Sequence, residues 1–208
     1  MSAKPLRTNA RRAPNRVKFE ERFADEARFI KSWFDSPLTT GAVTPSGRFL
    51  ARAMARCVDP LADGLIVELG PGTGPVTEAL VARGVPVEKL VLVEYDPAFC
   101  KLLERRFPGA QVLRGDAYRL SDTLKHLEGA AVSTIVSSLP LLNRPERERL
   151  HLLDEAFALM GAEGSFVQFT YGLVSPMPLK TSRRAAADYR GEVSNPVWLN
   201  LPPARVWR

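Results

Sequence analysis

Several classes of protein are excluded by what this chain lacks. It holds only two cysteines, Cys57 and Cys100, in 208 residues. That is too few for a disulfide framework, so a reducing compartment is the expectation. Its two histidines, His126 and His151, stand far from both cysteines in sequence. No metal-ligand spacing results, and no metal site is expected. Long apolar runs are also missing. The uncharged stretches 129–143 and 164–179 are short and rich in Ser, Pro or Gly, so neither suits a bilayer span. The basic N-terminal stretch has no apolar segment after it, which argues against a secretory signal. No internal repeat is visible.

What is present describes an ordinary soluble globule. The composition is 45% apolar and 25% charged, enough to form a core, and the length suits one domain. The formal net charge of +6 points to anionic partners, nucleic acid or lipid headgroups, without choosing between them.

The most informative stretch is Glu68-Leu69-Gly70-Pro71-Gly72-Thr73-Gly74. It closes the apolar run Leu65-Ile66-Val67 and opens a helical pattern at Val76, Ala79 and Leu80. That order is strand, tight turn, helix. Glycines let the backbone approach a ligand that a Cβ would block, and the helix start offers free N–H groups. A dinucleotide fingerprint needs a further glycine where Pro75 stands. A phosphate loop needs a Gly-Lys-Ser/Thr triplet, which is absent. Glu-x-Gly-x-Gly-x-Gly resembles instead the first motif of class I S-adenosylmethionine-dependent methyltransferases. The plain alternative is a tight turn without a ligand.

Around this turn the chain alternates strands and helices. Strands are expected at 65–69, 90–94, 111–113, 134–138 and 165–171. Helices are expected from Ser46, from Asp96-Pro97, and from Pro145 to Met160 before Gly161. The helix from Ser46 should bury Phe49, Leu50, Ala53, Met54 and Cys57. Segments 197–201 and 204–207 suit a hairpin. This alternation implies a parallel sheet with helices on both faces. Ligands in such sheets sit beyond the carboxyl ends of the strands, here after Leu69, Val93, Leu113 and Val136.

Those four places carry chemistry. Glu94 can accept both hydroxyls of a ribose through charge-assisted hydrogen bonds, or stand as a strand-end acid in solvent. Asp116 sits where methyltransferases of this class commonly reach the adenine amino group, and is equally placed to cap the next turn. Glu68 is placed to meet a positive amino group or to hold the turn. Ser138, Leu139 and Pro140 supply a wall between the cofactor methyl and an acceptor.

Three parts are expected along the chain. Residues 1–16 form a basic arm with Lys4, Arg7, Arg11, Arg12 and Arg16 and no acid. Residues 17–36 form an amphipathic helix with Phe19, Phe23, Ala27, Ile30 and Phe34 on one side. Its basic flanks and aromatic residues suit a membrane interface, and core packing would use the same stripe. Residues 37–208 form the methyltransferase domain.

Taken together, the sequence resembles the short, soluble, rhizobial type of bacterial phospholipid N-methyltransferase, from about Phe23 to Arg208. The resemblance rests on Phe29-Ile30-Lys31-Ser32-Trp33-Phe34-Asp35-Ser36-Pro37, on Thr40-Gly41-Ala42-Val43-Thr44-Pro45-Ser46, and on the glycine turn. Val93-Glu94-Tyr95, Gly115-Asp116-Ala117, Ser138-Leu139-Pro140-Leu141-Leu142-Asn143 and Gln168-Phe169-Thr170-Tyr171-Gly172 complete it. It implies a Rossmann-like fold with a mostly parallel seven-stranded sheet, preceded by a membrane-binding helix. It implies S-adenosyl-L-methionine as methyl donor and S-adenosyl-L-homocysteine as product. The implied acceptor is phosphatidylethanolamine, methylated stepwise toward phosphatidylcholine at the cytoplasmic face of an anionic membrane. Thr40 and Ser46 would fold over the methionine end of the cofactor, with Tyr95 and Ala117 beside Glu94 and Asp116. Tyr171 would position the amine, and Lys180, Arg183 and Arg184 the lipid phosphate.

Two other readings stand beside this one. Ribosomal RNA adenine dimethyltransferases share a similar glycine motif and a basic charge, but carry an aromatic after Asn-Leu-Pro to stack on the target base. Leu141 holds that place here, and base-stacking enzymes need an aromatic face. A non-enzymatic membrane-binding module on an inert fold is the other alternative. The presence of both Glu94 and Asp116 argues against it.

Overall fold

The computed structural model describes residues 45–127, 129–171, 175–177, 190–200 and 203–208. The expected arm at 1–16, the helix at 17–36, and Thr40, Lys180, Arg183 and Arg184 lie outside the described residues, as does the Ser46 side chain. All the described residues belong to the unit from Pro37 to Arg208.

Six strands form one sheet. They are β1 (Leu65–Leu69), β2 (Leu90–Glu94), β3 (Gln111–Arg114), β4 (Val132–Ser137), β5 (Ser165–Thr170) and β6 (Arg205–Trp207). Their order is β3-β2-β1-β4-β5-β6. The first five are parallel, and β6 runs antiparallel to β5. The chain turns outward in both directions from β1 and β4. That switch point opens a crevice at the carboxyl edge of the sheet.

The helices are α1 (Pro45–Arg56), α2 (Pro75–Ala82), α3 (Pro97–Arg106), α4 (Leu120–Thr123) and α5 (Glu146–Met160). Their starts follow local chemistry. Asp96 caps α3 by accepting from the Ala98 N–H at 2.7 Å, with Pro97 at the first helical position. Gly161 ends α5 at φ +70°. Helix α1 begins at Pro45, one residue before the expected Ser46 cap, because proline tolerates the first turn, where its missing N–H has no partner to lose. Its buried face is also rotated from expectation. Leu50, Ala51, Met54, Ala55 and Val58 are buried, while Phe49, Ala53 and Cys57 are only partly so.

The core lies on both faces of the sheet. On one, Val67, Leu69, Val91, Val93, Ile135 and Phe166 pack with Leu152, Leu153 and Ala156 of α5. On the other, α1 packs against α2. Strand β2 is buried at all five positions, as expected of a central parallel strand covered on two faces.

Among the described residues the expected seventh strand is present only as isolated bridges. Val193 bridges to Trp207 and Val197 to Ala204, both antiparallel. The described pairing therefore runs over residues 192–197, of which the expected segment 197–201 contributes Val197, and Leu201 lies outside the described residues. The reason is local. The Val206 N–H donates to the Ser194 hydroxyl at 2.9 Å, and Pro196 has no N–H to give.

Candidate cofactor and acceptor site

The glycine turn divides its work among three residues. All three glycines adopt positive φ: +66° at Gly70, +56° at Gly72 and +87° at Gly74. A Cβ on Gly74 would lie 2.6 Å from Phe107 Cε2, and one on Gly70 would lie 2.9 Å from Leu139 Cδ2. These two are glycine because neighbouring side chains need the space. At Gly72 no atom of the described residues lies within 4 Å of where a Cβ would be. Close approach of a ligand to bare backbone therefore falls to Gly72 alone.

Glu94 faces that position. It is 8% exposed. Its Oε2 accepts the Gly72 N–H at 2.9 Å, and its Oε1 accepts the N–H groups of Tyr95 and Asp96 at 2.8 and 2.9 Å. Burial pushes the carboxyl above the ordinary range, and those three donors pull it back. A carboxylate offers about four lone-pair sites. The backbone occupies two on Oε1 and one on Oε2, so Oε2 is the oxygen with room for a hydroxyl. The ring of Tyr95 is more exposed than buried.

Asp116 stands one strand further along the same edge. The Gly115 N–H continues the ladder by donating to the Glu94 carbonyl at 3.0 Å. Asp116 Oδ1 accepts the Tyr118 N–H at 2.9 Å, so it does cap the next turn. Ala117 is buried beside it. The structure thus gathers Gly72, Glu94 and Asp116 at the carboxyl ends of three adjacent strands.

Glu68 is fully buried, with Oε2 accepting the Thr77 hydroxyl at 2.7 Å. Its Oε1 is buried without a hydrogen-bond partner among the described residues. Burial is the main cause that pushes this carboxyl up to about 8, and the nearby Glu94 charge adds to it. Glu68 is therefore mostly protonated at neutral pH. A carboxyl that holds its proton in the fold to about 8, against 4.5 ordinarily, contributes stability that is complete below the lower value. That contribution is lost as pH rises through the upper one. Glu68→Gln cannot ionise. Its melting temperature relative to the parent should be lowest near pH 5 and rise steadily toward pH 9. Parallel melting curves across that range would contradict the buried, protonated carboxyl.

The acceptor side is built next to the glycine turn. Ser138 is buried, and its N–H donates to the Leu69 carbonyl at 2.9 Å. Leu139 lies against Gly70. Its carbonyl accepts Gln168 Nε2 at 2.9 Å, and the same amide reaches the Phe169 carbonyl at 2.8 Å. Two carbonyls on one nitrogen orient the Gln168 amide and hold the Leu139-Pro140 turn. Leu141 is 1% exposed and belongs to the core. Tyr171 follows β5, 36% exposed, with its ring edge-on to Phe169 at 5.3 Å. Its phenol is pushed up by burial, against a hydrogen bond from the Asn200 side chain. It keeps its proton, and its oxygen is available as a hydrogen-bonding group.

Three contributors escape a reading of the sequence. Thr77 lies one turn into α2, over Glu68. Gln168 lies in a segment that carries the resemblance, but its role in holding the Leu139 carbonyl has no signal in the sequence beyond a polar residue among strand apolars. Asn200 gives no signal, because the hairpin that brings it to Tyr171 joins residues distant in sequence. Among the described residues no group of His, Cys, Asp and Glu side chains could hold a metal ion. No helix among them is long and apolar enough to cross a membrane.

No protein-family model matches the chain. It is similar to the ornithine lipid N-methyltransferase of Singulisphaera acidiphila, 28% identical over 182 residues that span 86% of this chain and 92% of that protein. It is also similar to ribosomal RNA small subunit methyltransferase A of a Synechococcus species, 35% identical over 96 residues. That match covers 45% of this chain and 31% of the relative. Among solved structures, a TehB-like SAM-dependent methyltransferase from Corynebacterium glutamicum aligns with a TM-score of 0.56. It covers 88% of this chain and 97% of the other at 19% identity.

Strand order and the strand–glycine turn–helix unit are those of the Rossmann-like fold of class I methyltransferases, with bare backbone at Gly72 and a buried acid facing it. S-adenosylmethionine is the methyl donor expected from the glycine turn, and the similarity to a bacterial lipid N-methyltransferase runs through most of the chain. The residues fit that donor. Glu94 Oε2 and Asp116 would hold the nucleoside, and the orphaned Glu68 oxygen lies under the turn. When bound, the donor supplies a methyl group already activated by a positive sulfur.

Proposed function

We propose that the protein methylates the primary amine of a membrane-lipid headgroup at the inner face of the cell membrane. Phosphatidylethanolamine is the acceptor implied by the sequence resemblance. Ornithine lipid is the one named for the relative. Both present an amine on a lipid, and that shared chemistry is what the site addresses. The observation that carries the reading is the span of similarity. The lipid-methylating relative matches across 92% of its length, and the RNA-methylating one across 31%. The burial of Leu141 in the core supports it, since no ring stands there to stack on a base.

The chain's own residues have limited work in such a transfer. The headgroup amine, an ammonium at neutral pH, would first give a proton to water; its lone pair could then take the methyl that the donor would supply, with the carbon–sulfur pair left on sulfur. The nitrogen then sheds a proton to water. The Leu139-Pro140 turn, held by Gln168, walls the approach. The Tyr171 oxygen accepts an N–H of the amine, and its ring face suits the methylated cation. Alignment of this kind contributes about 7–11 kcal/mol.

The test is a transfer assay with labelled donor and vesicles of each lipid separately, resolved by thin-layer chromatography. Label in an amine lipid supports the reading, and no label in either lipid overturns it. Tyr171→Phe should lower the rate by about five- to tenfold, the worth of one hydrogen bond, with donor affinity unchanged. An equal loss of donor affinity would move Tyr171 out of the acceptor site.

A further inference from the structure

A basic surface lies along α1, beside the helix that follows the glycine turn. A groove of about 380 Å³ runs between α1 and α2. Arg48, Arg52 and Arg56 line it from α1, and Arg83 lines it at the end of α2. The first three stand four residues apart, so they share one helix face at steps of about 6 Å. All three are exposed. None makes an ion pair or side-chain hydrogen bond among the described residues, whereas Arg83 Nε donates to the Val58 carbonyl at 3.2 Å. The one acid in the lining, Glu78, is paired with Arg106 at 2.9 Å. Among the described residues the groove therefore carries four guanidinium groups and no free counter-charge, over a floor of alanines. At its α2 end it includes Pro75, the residue after the glycine turn.

We infer that this groove docks the protein on the phosphate headgroups of an anionic bilayer. Unpaired arginines in a row fit phosphate, which guanidinium recognises in a bidentate way. The lining contains no aromatic residue. Single-stranded nucleic acid is held by basic grooves combined with aromatic stacking, which this surface lacks; lipid is favoured over paired nucleic acid by the proposed lipid acceptor. This docking role deepens the proposed lipid methylation and rests on it for the presence of a membrane.

The test compares the full chain with Arg48→Gln/Arg52→Gln/Arg56→Gln by flotation. One set of vesicles is phosphatidylcholine alone, and the other contains added phosphatidylglycerol. Each basic group near an anionic surface contributes enough that losing three should weaken partitioning by about a hundredfold at low salt. The gap should narrow as salt rises. Arg48→Lys/Arg52→Lys/Arg56→Lys should keep most of the binding. Melting temperature and donor affinity should be unchanged, because these side chains are exposed and outside the crevice. Undiminished binding of the glutamine variant to anionic vesicles overturns the inference. So does a loss of affinity for a short RNA that exceeds the loss for vesicles. Failure of the proposed methylation is seen separately: vesicle binding would still depend on the arginines while no lipid accepts label.

Discussion

Glu94→Ala should raise the dissociation constant for S-adenosylmethionine by about a hundredfold or more, measured by calorimetry. The carboxylate is nearly buried and accepts three backbone N–H groups, including that of Gly72. Alanine removes the acceptor for a ribose hydroxyl and leaves three donors without their partner. A hydrogen bond to a charged group is worth about 1.5–3 kcal/mol, so loss of the one ribose bond reaches about a hundredfold at its upper end, and the Gly72 turn released from its carboxylate adds to the loss. Glu94→Gln should not rescue it. If the amide oxygen keeps Tyr95 and Asp96, the amide nitrogen meets the Gly72 N–H donor to donor. Binding to lipid vesicles should be far less affected than donor binding. Equal loss of both would remove Glu94 from the nucleoside site and revive the reading of the chain as a surface-binding module.

The second large effect separates two glycines that look alike in sequence. Gly74→Ala should unfold the protein at markedly lower temperature. Its φ of +87° is strained for any side chain, and the new Cβ would meet the Phe107 ring at 2.6 Å. Left-handed strain costs about 1–2 kcal/mol and overpacking about 1–3 kcal/mol more. Gly72→Ala carries a similar backbone strain without a clash. It should cost about 1–2 kcal/mol of stability yet abolish measurable donor binding, because its Cβ would project where the ligand approaches. Calorimetric melting and donor titration of the two variants would show this crossing pattern. Two variants alike in both measurements would refute the division of labour within the turn.

Much of this arrangement is legible in the sequence because local rules govern it. The glycines, Asp96-Pro97 and Gly161 mark strand ends and helix ends by backbone chemistry alone. The apolar runs at 65–69 and 90–94 read directly as buried parallel strands. Glu94 and Asp116 then follow from the rule that places ligands beyond strand ends. What escapes depends on contacts between distant segments. Gln168 matters because β5 lies beside β4, which brings its amide to the Leu139 carbonyl. Asn200 matters because the terminal hairpin brings it to Tyr171. The rotated face of α1 reflects packing against α2, which favours small Ala51 and Ala55 inward over bulkier Phe49. The seventh strand fails as a regular ladder because Ser194 offers its hydroxyl in place of a carbonyl.

The acceptor is tested most directly by competition in a single reaction. Protein and methyl-labelled donor are mixed with total bacterial lipid and small-subunit ribosomal RNA together, and label is counted in each after extraction. Label is expected in amine-bearing lipid, with the RNA fraction at background. Label recovered in RNA, with lipid at background, would show that the acceptor is not a lipid amine.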